Sequence, residues 1–166
     1  MDLNRRQFVS LATLASVIAA TDLASMAVVA AESKEDKVVR IAKTYIGNTN
    51  YFVSVEETYC QKLCNDVYRQ AGYDFKRYGS AAAAADAMRS RIQGTSKKGC
   101  LMYWGSWNSN IYGHAAIFLG NGQVLTSYTY NQNKKVAIVS HDEILKKLPK
   151  SAWRGYLHIG DAIRFK

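Results

Sequence analysis

The chain has 166 residues, 48% of them hydrophobic and 21% charged, with 11 glycines and one proline. That mixture fits one ordinary globular domain and excludes a disordered or collagen-like chain. Twenty-two Lys and Arg against 13 Asp and Glu leave a net +9, and residues 1–31 add nothing to it, because Arg5 and Arg6 offset Asp2 and Asp22. The basic balance belongs to the chain beyond residue 31, which favours anionic partners such as acidic lipid, nucleic acid or bacterial wall polymers without choosing among them.

At the N-terminus, Asn4-Arg5-Arg6-Gln7-Phe8 precedes an apolar run over 11–20 that Asp22 interrupts. The run is shorter than the ~20 residues of a membrane span. The segment resembles a twin-arginine export signal, with small residues from Ser25 to Ala31 as candidate cleavage sites. The expected organisation is an export signal over 1–31, a short polar lead-in over 32–37, and one domain over 38–166. The expected location is the periplasm or the cell wall, with no stable membrane span after processing.

Val38, Ile41, Ala42 and Tyr45 fall at helical spacing, with Gly47 just past them as a stop. Residues 48–57 read as a loop carrying Tyr51 and Phe52. A second helix is expected over 59–71, where Thr58 and Gln61 form a capping-box pattern and Gly72 supplies a left-handed end. Five consecutive alanines after Ser80 predict a third helix over 81–92. From residue 100 onward the pattern changes to short apolar or alternating runs over 100–104, 114–119, 123–130 and 135–140, separated by Gly, Asn and Ser. These read as strands, with a hairpin at Asn121-Gly122, a short helix over 141–148 and a last strand over 156–165. Helices followed by a meander of strands make an α+β domain.

Cys60 falls at the second position of the expected helix, where free backbone N–H groups and the positive end of the helix dipole favour a thiolate. Cys64, Val67 and Ala71 follow it on one stripe, so Cys60 is expected to face the sheet. His114 opens an apolar strand after the aromatic-rich stretch 104–113 and is the natural general base; His141 and His158 are weaker candidates. Two hairpin registers are open. A three-residue loop over 120–122 sets His114 opposite Tyr128 with Thr126 on its face, whereas a two-residue loop sets it opposite Thr129 and offers Ser127.

Ile41-Ala42-Lys43-Thr44-Tyr45-Ile46-Gly47, the stretch from Tyr59-Cys60 to Val67-Tyr68-Arg69-Gln70-Ala71-Gly72, residues 99–104, and Gly113-His114 with its apolar strand and Gly120-Asn121-Gly122 are together similar, in order and spacing, to the NlpC-type cysteine peptidases and the related CHAP amidases. The resemblance implies a papain-like fold, N-terminal helices on an antiparallel sheet with the nucleophile at a helix N-terminus, and cleavage of peptide or amide bonds in peptidoglycan. It carries the nucleophile to Cys60, the base to His114 and the base-orienting residue to Thr126, with Asn131 as a fallback. Three departures stand out. Tyr59-Cys60-Gln61-Lys62 replaces the NlpC pattern Asp-Cys-Ser-Gly, Gly99-Cys100 replaces Gly-Asp, and Thr126 stands where His, Asn or Gln is common.

Tyr59, Trp104, Trp107 and Tyr112 are expected to contact substrate, with Tyr51 and Phe52 open either to that rim or to capping a core edge. Cys64 is expected in the core, and a Cys64–Cys100 disulfide is left open. Cys60, Cys64 and His114 lack a fourth ligand for zinc, so no metal or organic cofactor is expected. No phosphate loop, helix-turn-helix or basic-aromatic RNA motif is present, which argues against nucleic acid. The expected partner is peptidoglycan through its stem peptides, with scattered lysines available to anionic wall polymers. Two alternatives remain: a catalytically weak or inactive wall-binding module of the same fold, and a thiol acyltransferase or delivered toxin.

Overall fold

The computed structural model describes residues 31–52, 58–108, 110–127, 135–160 and 164–165. The export-signal reading, Tyr128 and Asn131 lie outside them. The first helix, α1 (Lys34–Thr44), starts inside the expected lead-in, because the Ser33 side chain accepts a hydrogen bond from the Asp36 N–H and Glu35 and Asp36 occupy the first turn. Acidic residues there complement the helix dipole, and the cap satisfies a donor that would otherwise be orphaned. Val38, Val39, Ile41 and Ala42 form the buried stripe.

Helix α2 (Tyr59–Gln70) ends where expected, with Gly72 at φ +91. Its start differs. Thr58 has the extended backbone of an N-cap but its side chain makes no cap bond, and Gln61 turns inward to donate to Asn65 Oδ1 at 2.8 Å. The capping box does not form, because Gln61 is drawn into the interior. Helix α3 (Ala81–Ala87) is shorter than the alanine run implies. Ala81, Ala82, Ala84 and Ala85 are buried, but the following Arg89–Arg91 turn buries nothing, and Gln93 leaves to pair with Tyr156 through hydrogen bonds of 2.7 and 2.9 Å.

Five strands, β2 (Leu101–Trp104), β3 (His114–Gly120), β4 (Gln123–Thr126), β5 (Ala137–Ser140) and β6 (Trp153–Leu157), form an antiparallel sheet in the order β5-β4-β3-β2-β6. The expected final strand is divided. Gly160, at φ +102, follows β6, and Arg164–Phe165 (β7) pairs instead with Tyr73–Asp74 (β1). A short helix α4 (His141–Lys147) is capped by Ser140. Strand period sorts the side chains into two cores. Leu101, Tyr103, Ala115, Ile117, Leu119 and Leu125 face α1, α2 and α3, while Met102, Trp104, Ala116 and Val124 face α4. Each fully buried aliphatic side chain contributes about 1.5–3 kcal/mol, so both faces pull the sheet into place.

The β3–β4 hairpin combines the two expected registers. Its tip is a two-residue turn, Asn121 at φ 50 and Gly122 at φ 68, but a register shift between Phe118 and Gly120 restores the pairing Ile117↔Leu125. Beyond the bulge the strands therefore run in the register that puts Thr126 on the His114 face.

Candidate active site

Cys60 sits at the second residue of α2, 6% exposed, against the start of β3. The N–H groups of Ala115, Gln61 and Cys60 itself and the Thr58 hydroxyl act as weak donors in favour of its ionised form. Ala115 follows His114 on β3 and precedes the first β3–β4 pair, Ile117↔Leu125. All four donors favour the thiolate, yet burial outweighs them and holds the thiol above its ordinary value. The helix terminus alone does not ionise this sulfur, contrary to the expectation from position.

His114 is the first residue of β3, opposite Trp104, and is 1% exposed. Its Nε2 lies 2.8 Å from Thr126 Oγ1, and that hydroxyl donates to the Ser127 carbonyl at 3.3 Å. A hydroxyl has one proton. With that proton on Ser127, Thr126 Oγ1 accepts from Nε2–H, so Nδ1 carries the lone pair. The Trp104 ring lies 5.7 Å from the imidazole and is itself packed 4.7 Å from Trp153. Burial lowers the His114 pKa to about 4, so the ring is neutral at neutral pH.

Gly113 positions this histidine. It has φ +69, and a Cβ there would stand 2.3 Å from the Trp104 carbonyl oxygen and 3.0 Å from the Ala82 nitrogen. The Ala82 N–H in turn donates to the Tyr112 carbonyl at 2.8 Å, tying the chain before His114 to α3.

The residues expected to contact substrate separate into two groups. Tyr112 is 55% exposed beside Ile111 at 71%, and Tyr59 is half-buried at the head of α2. Trp104 is buried at 1% behind the imidazole, and Trp107 packs partly against the α4-side core. Tyr51 is also buried and donates to Asp66, which also accepts from Lys62. Cys64 and Cys100 are free thiols in different cores. Among the described residues no cluster of three His, Cys, Asp or Glu is arranged to hold a metal, and no helix is long and apolar enough to cross a membrane. Sequence reasoning missed the Ser127 carbonyl, the Ala115 amide and the buried Gln61–Asn65 pair. The spacing of Gln61 and Asn65 by four residues beside the apolar stripe was the available signal for the last.

The NlpC/P60 family model matches residues 44–156, a span that contains Cys60, His114 and Thr126. The chain belongs to the NlpC/P60 family. It thereby falls in the papain-like cysteine peptidase superfamily, and its helices packed on a five-stranded antiparallel sheet agree with that fold. Among solved structures, the NlpC/p60 domain of peptidoglycan hydrolase SagA is 23% identical with a TM-score of 0.52, over 75% of this chain and 98% of that one. NlpC1 from Trichomonas vaginalis is 16% identical with a TM-score of 0.53, over 77% of this chain and 46% of that one. An NlpC/P60 family protein from Bacillus cereus is 15% identical with a TM-score of 0.48, over 75% of this chain and 39% of that one. This NlpC/P60 chain thus spans less than half of two of these proteins and nearly all of the SagA domain. No curated protein sequence matches it.

Proposed function

We propose that this NlpC/P60 protein is an exported cysteine hydrolase that cleaves a peptide or amide bond in peptidoglycan, with Cys60 as nucleophile, His114 as base and Thr126 as the residue that orients the base. The observation that carries the reading is the relay Ser127 carbonyl, Thr126 hydroxyl, His114 Nε2–H, which leaves a neutral imidazole with its lone pair on Nδ1, one residue along β3 from Ala115, whose amide favours the Cys60 thiolate. The His114 ring lies on the Trp104 face of the sheet and Cys60 belongs to the core on the α2 face, so the reading requires the two groups to reach each other around the end of β3.

Because burial disfavours both thiolate and imidazolium, the resting pair is thiol and imidazole. Nδ1 takes the thiol proton as the sulfur–carbon bond forms, and the oxyanion is held by backbone N–H groups at the head of α2. The imidazolium then gives its proton to the departing amine as the carbon–nitrogen bond breaks. Water attacks the thioester, His114 again accepting a proton, and releases the carboxylate and the free thiol. Tyr59, Tyr112 and Trp107 supply the substrate rim, and the net positive charge favours an anionic wall. The first 31 residues act as a twin-arginine signal, so the domain folds before crossing the membrane.

A second reading, a wall-binding module without activity, draws support from the burial of both Cys60 and His114. Digestion of purified peptidoglycan with products identified by mass separates the two. Hydrolysis by wild type and not by Cys60→Ala is expected; equal release by both proteins, or by neither with wall binding retained, refutes the catalytic reading.

A further inference from the structure

Among the described residues, four helices begin at a Ser or Thr in N-cap position, and three of those side chains cap in the ordinary way: Ser33 accepts from Asp36 N–H, Ser80 from Ala83 N–H and Ser140 from Glu143 N–H. Thr58 is the exception, although its backbone, at φ −66 and ψ 141, has the extended form of an N-cap. Its own carbonyl accepts from Lys62 N–H and its N–H donates to the Gly79 carbonyl, so the residue is fixed at both ends. The hydroxyl oxygen is buried and meets the geometry of a hydrogen bond with none of the described residues.

A capping oxygen accepts from the second or third helical residue, here Cys60 and Gln61, and the Thr58 oxygen meets neither N–H in hydrogen-bond geometry. The acceptor role of Thr58 is therefore unused. A buried hydroxyl keeps one other capacity, to donate, and Thr58 stands two residues before Cys60, among the groups that favour its thiolate.

We propose that the Thr58 hydroxyl donates a hydrogen bond to the Cys60 sulfur when that sulfur becomes a thiolate, so that Thr58 stabilises the nucleophile instead of capping the helix. The inference rests on the reading of Cys60 as the nucleophile. In a neutral thiol the sulfur is a poor acceptor and the hydroxyl is idle; on ionisation the sulfur becomes a strong acceptor and the bond is charge-assisted. The contribution is thus made as proton transfer to His114 proceeds.

The test compares Thr58→Val, which keeps the shape and removes the donor, with Thr58→Ser, which keeps the donor. The thiolate ultraviolet absorbance of each is titrated against the same protein carrying Cys60→Ala, and wall hydrolysis and thermal stability are measured alongside. The expected result is a Cys60 titration midpoint raised by about one pH unit in Thr58→Val, a tenfold loss of thiolate, a midpoint near wild type in Thr58→Ser, and a fall in kcat that follows the midpoint. An unchanged midpoint in Thr58→Val overturns the inference, whatever happens to the melting temperature. A shifted midpoint in a protein that hydrolyses no wall supports the hydroxyl–sulfur bond and overturns the catalytic reading instead.

Discussion

Thr126→Val removes one oxygen from a buried relay and keeps the side-chain shape. The His114 Nε2–H, which now donates across 2.8 Å in a site where both residues are at most 3% exposed, would then face a methyl group. Leaving a buried donor unpaired costs about 1–3 kcal/mol, and the small volume change of Thr to Val adds little. Denaturant unfolding is expected to register a loss in that range with an unchanged slope. The larger consequence is chemical. With no acceptor at Nε2, the proton is free to move to Nδ1, the nitrogen that accepts the thiol proton in the proposed mechanism, and nitrogen NMR of the imidazole is expected to report that loss of tautomer preference. Wall hydrolysis is expected to fall on the order of tenfold or more, within the range general-base catalysis supplies, with Thr126→Asn restoring part of it through an amide carbonyl. Stability within about 0.5 kcal/mol of wild type together with an unaltered tautomer would refute the relay, since an exposed or otherwise satisfied nitrogen loses little when a partner is removed.

Burial lowers the His114 pKa from 6.5 to about 4, so the unfolded chain binds a proton there first. Stability is expected to be full above about pH 6.5 and to fall by about 3 kcal/mol as pH drops to about 4, and equilibrium unfolding of His114→Gln is expected to lack that slope. The same shift predicts that the acidic limb of kcat/KM lies well below 6.5; a limb at 6.5 would mean a solvated imidazole. Gly113→Ala forces a Cβ to 2.3 Å from the Trp104 carbonyl at a left-handed φ, and a loss of about 3 kcal/mol or more is expected in denaturant unfolding, from the left-handed conformation and the backbone shift together. Retention of wild-type stability would mean that the glycine does not fix the approach to His114. Replacing Arg5 and Arg6 by Lys is expected to abolish export of the folded domain in a cell-fractionation assay, and unchanged export would refute the twin-arginine reading.

Much of the architecture follows from local pattern. The stripe of Cys60, Cys64, Val67 and Ala71 commits α2 to a buried face, and Asn121-Gly122 commits β3 and β4 to a hairpin. These signals are legible because period and left-handed turns are properties of a few neighbouring residues. Helix starts were less legible. Ser33 extends α1 into a stretch read as polar lead-in, and Gln61 abandons a capping pattern that is sound by sequence because Asn65, also on α2 and equally buried, offers it a partner away from solvent.

The sequence by itself determined which atoms are available for chemistry: a cysteine at a helix head, a histidine at a strand start, and a hydroxyl twelve residues beyond it. Only the tertiary structure decided their states. The bulge near Phe118 selects the register that pairs Thr126 with His114, and Ser127 fixes the direction of the hydroxyl and hence the imidazole tautomer. Burial reverses the expected ionisation of Cys60. The cause is that a helix terminus acts over one turn of chain, whereas desolvation comes from every element packed around the site, and no short stretch of sequence records that sum.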